Sequence, residues 1–173
     1  MTEYISCADT AKLIRAALKR NWPNVKFSVR SRTYSMGASI DVSWTDGPAA
    51  PLVNKVVEPY AGASFDAMQD LKESRYAVLY ANGTLGSNKP NPCGLPLPPG
   101  ARLVRFGADF VFTHRRLSIE LASRAVASAK RRWAKADDLA VVADNAGAYF
   151  TGQAFDNSNI RQHVVNFMSV AGA

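Results

Sequence analysis

Cysteine, histidine and long apolar runs are what this chain has least of. Its 173 residues include two cysteines, Cys7 and Cys93, and two histidines, His114 and His163. Neither cysteine sits in a C-x-x-C or Cys/His cluster, so the pair makes no disulfide framework and no metal-ligand spacing. Reduced thiols are the expectation, and no metal or cofactor is expected. No apolar run approaches the roughly 20 residues of a membrane span. The N-terminus lacks the basic-then-apolar order of a signal peptide. A soluble, cytoplasmic protein is therefore expected. Gly-rich phosphate loops of the P-loop or dinucleotide kind are missing. So are helix-turn-helix, zinc-finger and ribonucleoprotein aromatic motifs. No motif supports a Ser/His/Asp or Cys/His nucleophile. Asp137, Asp138 and Asp144 could gather a divalent cation for a nuclease, but they fit no ligand spacing and read as solvated acids at a helix end. The expectation is a protein with no catalytic residues.

What the chain does have is positive charge, +7 overall with a pI near 9.6. All of the excess falls between Ala101 and Lys135. Nine Lys or Arg residues there meet only Asp109 and Glu120, so the span sums to 9 − 2 = +7. A local field of one sign attracts polyanions and speeds their encounter. A second block, residues 1–35, carries seven basic residues against Glu3 and Asp9.

At 47% hydrophobic and 20% charged, the chain has an ordinary globular composition. One domain, 1–173, is expected, with sub-units 1–75 and 101–173 joined by the loop Asn82 to Gly100 as a variant of it. Ser6 and Asp9 open a helix in capping-box style, its apolar face Ala11, Ile14 and Leu18, and Pro23 stops it. Lys26 to Thr33 alternates as a strand with Phe27 and Val29 inward and Arg30 and Arg32 outward. Ser39 to Trp44 alternates in turn, with Ile40, Val42 and Trp44 inward, so the two form a hairpin that sets Arg30 and Arg32 near Asp41. Pro51 starts a helix running to about Tyr60 with Leu52, Val53, Val56 and Val57 apolar. Tyr76 to Tyr80 suits a strand. The Pro/Gly-rich stretch from Asn82 to Gly100 is too long for a mere connection. Arg102 to His114 is the strongest strand signal, with Gly107 marking a bulge or a close backbone contact. Ser118 to Lys135 is the longest helix. Leu139 to Ala143 and Ala148 to Thr151 form a second hairpin. Ser158 or Asn159 caps a last helix. The fold class is α+β, an antiparallel or mixed sheet with a helix–strand–strand–helix unit in each half.

On the long helix, Arg124, Arg131 and Lys135 fall within about 20° of one another at 100° per residue. Ala122, Ala125, Val126, Ala129 and Trp133 take the opposite face. Arg132 and Lys130 flank the basic row. Arg115 and Arg116 lie at the helix start, where the macrodipole disfavours cations and an anionic partner would be welcome. The candidate partner-binding set is thus Arg115, Arg116, Arg124, Lys130, Arg131, Arg132 and Lys135, with Arg30 and Arg32. The bland alternative is a solvated face, with Glu120 pairing Arg124 and the last-turn cations complementing the dipole. Tyr34, Trp44 and Tyr60 could stack on bases, although Trp44 suits the core better.

Three segments carry a resemblance: YISCADTAKLIRAALKRNWPNVKFSVRS (Tyr4 to Ser31), ASIDVSWTDGP (Ala38 to Pro48) and VRFGADFVFTHRRLS (Val104 to Ser118). FDAMQDLK (Phe65 to Lys72) fits as well. Together they resemble a domain family associated with large polyvalent proteins of phages and conjugative elements. The Pro-rich loop and the last 35 residues resemble it least. The family implies an α+β domain with no established catalytic site, so no functional residue carries over. It implies a bacterial host cell and a setting in which small proteins blunt host defences. The leading expectation is a non-enzymatic counter-defence protein, such as an anti-CRISPR or anti-restriction factor, acting on DNA, RNA or a host nuclease complex. The alternatives are a nucleic-acid-binding accessory protein of transfer or replication, and a metal-dependent nuclease.

Overall fold

The computed structural model describes residues 2–66, 68, 71–86, 97–144 and 146–171. The fold is α+β, with four α-helices and ten strands among them. The chain divides into two compact units, Met1–Val42 with Val53–Thr113, and Ser43–Leu52 with His114–Ala173.

The first unit opens with a short strand, β1 (Glu3–Ile5), ahead of the helix expected from Ser6. Helix α1 (Cys7–Asn21) follows. Ser6 caps it by accepting the Asp9 N–H at 3.1 Å, but the reciprocal half of a capping box is absent. Asp9 is a methylene shorter than Glu, and its Oδ2 accepts from the Ser6 hydroxyl at 2.7 Å instead. Ala11, Ile14 and Leu18 are buried as their spacing requires. Strands β2 (Ser28–Tyr34) and β3 (Gly37–Thr45) come next. Ile40, Val42 and Trp44 are buried, and Arg32 pairs with Asp41 at 3.4 Å. Helix α2 (Ala50–Val57) runs into a 3-10 turn at Glu58–Tyr60. It buries Val53 and Val57, whereas Leu52 faces outward, 49% exposed. Strands β4 (Ala63–Asp66) and β5 (Leu71–Ser74) pair antiparallel. The loop expected from Asn82 to Gly100 falls largely on 87–96, outside the described residues, as does Cys93.

The stretch read as one strand from Arg102 to His114 is two. β7 (Ala101–Phe106) lies between β1, to which it is parallel, and β6 (Ala77–Tyr80), to which it is antiparallel. β8 (Phe110–Arg116) instead belongs to a sheet of order β2-β3-β8. The residue at the break has to be glycine. A Cβ on Gly107 would collide with the Tyr4 hydroxyl and crowd Cys7 N and Ile5 O. The Gly107 N–H still donates to Ile5 O (2.8 Å), while the Asp109 N–H already donates to Ala38 O (2.7 Å). The backbone therefore changes partners within two residues.

In the second unit, α3 (Ile119–Arg132) is capped by Ser118, which accepts the Leu121 N–H at 3.1 Å. A 3-10 turn at Ala134–Ala136 leads to the hairpin β9 (Ala140–Asp144) and β10 (Gly147–Thr151), paired antiparallel. Helix α4 (Ser158–Ala171) closes the unit. Its cap is Asn157, one residue earlier than expected, whose Oδ1 accepts the Asn159 N–H at 3.0 Å. Leu121, Ala125, Ala129, Leu139, Ile160, Val164 and Met168 share one core. The alanine stripe of α3 lets its backbone approach α4 and the hairpin closely.

Candidate nucleic-acid interface

Helix α3 ends at Arg132, not near Lys135, so at 14 residues it is not the longest helix; α1 has 15. Trp133 is extended (φ −134, ψ 118) and its ring stands edge-on to His163 at 5.0 Å. Lys135 is therefore exposed on the 3-10 turn and leaves the helical row. Arg124 and Arg131 remain exposed on the face opposite Leu121, Ala122, Ala125, Val126 and Ala129.

The cations around α3 are held by carbonyls and rings. The Arg124 guanidinium lies 5.9 Å from the Phe167 ring centre, and that of Arg132 lies 5.1 Å from Trp133. Such contacts hold an arginine without neutralising it. Glu120 makes no ion pair with Arg124. Lys130 donates to Asp137 O at 2.8 Å, satisfying a carbonyl beyond the helix end. Arg131, Lys135 and Arg116 meet no acid among the described residues. With Lys130, Arg131 and Arg132 in its last turn, α3 also complements its own dipole.

Arg115 and Arg116 are the last residues of β8, and they differ. Arg115 is half-buried and donates to Asp46 O (2.8 Å), Gly47 O (2.8 Å) and Met168 O (3.0 Å). Burial pulls its pKa down, with Asp46 opposing the shift. Its donors bind the Asp46–Gly47 turn to α4, so it is a structural clamp. Arg116 is exposed, and its carbonyl accepts the Asp46 N–H at 2.8 Å.

In the first unit Arg30 is exposed, and Arg32 shares its charge with Asp41. Much of the N-terminal basic block serves its own unit. Lys12 pairs with Asp9 at 2.8 Å, Arg15 donates to Val29 O at 2.6 Å, and Arg20 donates to Asn82 O at 3.2 Å. Sorting charge by unit changes the linear picture. The first unit has 13 basic and 8 acidic residues, 13 − 8 = +5, and the second 8 − 6 = +2. The basic span of the sequence is thus cut in two by the fold, and Asp137, Asp138, Asp144 and Asp156 balance much of α3.

The candidate chemical groups have structural partners. Cys7 is buried, its Sγ 3.7 Å from Ser39 O, and its pKa is raised by burial and then by Asp109. His163 Nε2 lies 2.9 Å from Ser128 Oγ. Both Asp138 oxygens accept the Ala154 N–H at 3.2 Å, and Asp144 accepts the Ala146 N–H at 2.7 Å. No group of three or more His, Cys, Asp or Glu converges among the described residues. Trp44 and Tyr60 are buried, leaving Tyr34 as the exposed ring of the three weighed for stacking. Trp44 Nε1 donates to Pro48 O at 3.0 Å.

A cleft in the first unit escaped the sequence reading. Tyr4, Ser6, Cys7, Ser31, Thr33, Tyr34, Lys72, Arg105 and Asp109 contribute to its wall. One signal for it was available. The alternation that begins apolar at Phe27, just before β2, and at Val29 continues along β2 as Ser31 and Thr33, both exposed. A face that turns polar midway along a strand has left the core, and here it lines the cleft.

A family model described as large polyvalent protein associated domain 29 matches residues 5–118. The chain belongs to that family. Membership in large polyvalent protein associated domain 29 associates it with proteins of phages and mobile elements. Comparison with curated proteins and with solved structures returns no match. The family segment ends on Ser118, the cap of α3. The wall of the cleft from Ser6 to Asp109 is inside the segment, and every cation of α3 is outside it.

Proposed function

We propose that this chain serves a mobile element as a non-enzymatic counter-defence protein of the anti-CRISPR or anti-restriction kind. It engages the polyanion path of a host nuclease complex through the exposed cations of α3 and of the 3-10 turn that follows it. The observation that carries this reading is that Arg124, Arg131, Arg132 and Lys135 stand exposed with no acid partner among the described residues, while the opposite side of the helix is buried. The structural use of Cys7, His163, Asp138 and Asp144 supports a role without catalysis. Family membership supports the setting but does not supply the α3 face, which lies beyond the matched segment.

The test is the combined variant Arg124→Gln, Arg131→Gln, Lys135→Gln. Wild-type protein is expected to bind DNA, RNA or a purified RNA-guided nuclease with strong salt dependence, and to raise phage or plasmid entry into a host carrying that nuclease. The variant should lose at least about tenfold in affinity and flatten the log–log salt slope by about 2–3, near one unit per phosphate contact. Wild-type binding without salt dependence, or a variant that binds and protects as well as wild type, would sink the proposal.

A further inference from the structure

The cleft of the first unit has a volume of about 620 Å³, within the roughly 300–1,000 Å³ of small-molecule sites. One unneutralised cation lines it. Lys72 lies 2.7 Å from Asp109 Oδ2, which cancels its charge, whereas Arg105 is exposed and meets no acid among the described residues. Two exposed rings line the same cleft, Tyr4 at 66% and Tyr34 at 51% exposure. Tyr4 is the direct partner of Arg105 in the parallel β1/β7 register, so the two side chains project from the same face of the sheet. Ser31 and Thr33 bring hydroxyls from β2, and Cys7 and Ala8 bring the first turn of α1, whose dipole favours an anion.

Two glycines let side chains of the wall pack against the backbone. Gly107 admits the Tyr4 hydroxyl, where any Cβ would collide with it, and holds the ring end against the sheet. A Cβ on Gly37 would collide with Asp109 Oδ2, the atom that holds Lys72 and accepts the Ala38 N–H at 3.2 Å. Tyr34 Cε2 lies 3.2 Å from that same Cβ position, so its ring closes the Gly37 corner. An arginine fork suits a phosphate, and an exposed tyrosine face suits a planar base.

We propose that this cleft binds a free mononucleotide, with the phosphate at Arg105 and the base on a tyrosine ring. The proposal is independent of the α3 face, which lies in the other unit. Calorimetric titration of the full chain with each of the four ribonucleoside 5′-monophosphates, with adenosine, and with inorganic phosphate tests it. At least one mononucleotide should bind at a single site, with adenosine and phosphate each at least about tenfold weaker, since each meets half of the site. Arg105→Gln should weaken the mononucleotide at least tenfold and leave adenosine unchanged. Tyr4→Ala and Tyr34→Ala change exposed residues, and at least one should weaken both nucleotide and nucleoside. The α3 triple variant should bind the nucleotide as wild type does. Saturable binding of none of the four, equal binding of phosphate, or affinity indifferent to Arg105→Gln would overturn the proposal. So would binding confined to a 5′-phosphorylated oligonucleotide, which would make the ligand a strand end.

Discussion

In the first unit several cations meet acids, although Arg15 and Arg20 meet carbonyls and Arg105 meets no acid among the described residues. Lys72 is 2.7 Å from Asp109, Arg102 is 2.8 Å from Glu3, and Arg32 is 3.4 Å from Asp41. Around α3 they meet carbonyl oxygens and aromatic rings, as Lys130 does at Asp137, Arg124 at Phe167 and Arg132 at Trp133. An acid partner neutralises a cation, whereas a ring or a carbonyl positions it and leaves its charge for a further contact. The unit with the larger net charge is therefore the one that has paired more of it. The smaller net charge of the second unit conceals a helix whose cations are open. The two regions also differ in shape, a recess with one open arginine against a convex helix with several.

The comparison breaks most visibly at the neighbours Arg115 and Arg116. Arg115→Ala removes the donors to three carbonyls and is expected to cost about 3 kcal/mol in chemical denaturation, since bonds from a charged donor are worth about 1.5–3 kcal/mol each and are not additive. Arg116→Ala, at an exposed position, should stay within about 0.5 kcal/mol. Equal losses would mean that Arg115 is no clamp. In the first unit, Asp109→Ala strands Lys72 and the Ala38 N–H together. A loss of about 2 kcal/mol is expected, with Asp109→Asn costing less because its amide oxygen still accepts from Ala38. An unchanged midpoint would show that acid pairing does not distinguish this unit.

The smallest effect concerns Cys7. Its pKa is raised by burial and by Asp109, so the fold favours the protonated thiol. The sign follows: its contribution to stability is complete below the ordinary thiol pKa and is lost as pH rises through the higher folded value. In a Cys93→Ser background, iodoacetamide should modify Cys7 at least about tenfold more slowly in the native protein than in urea at mildly alkaline pH. Comparable rates would place the thiol in solvent.

Much of the fold was legible because its signals are local. The inward set Ile40, Val42 and Trp44, the buried stripe of α3 and the β9–β10 hairpin follow from periods of two and of 3.6 residues, and the structure buries or pairs them accordingly. The wheel that put Lys135 in line with Arg124 failed because it continues a helix through Trp133, where the backbone turns extended. The alternation from Arg102 to His114 continues through Gly107 on paper, while in space the strand changes partners there. The cleft was hidden because it is assembled from β1, β2, β7 and the start of α1, none of which announces a ligand alone.

The sequence by itself determined the α+β class, the family, and most of the positions that turn inward, because burial of apolar side chains follows short periods along the chain. Only tertiary structure decided which cations remain open. Arg115 is closed by Met168, 53 residues away, and Ala38 is held by Asp109, 71 residues away. Hydrogen-bond partners at such separations leave no periodic trace, so a run of positive charge in sequence is resolved into clamp, ion pair and open face only when the chain has folded.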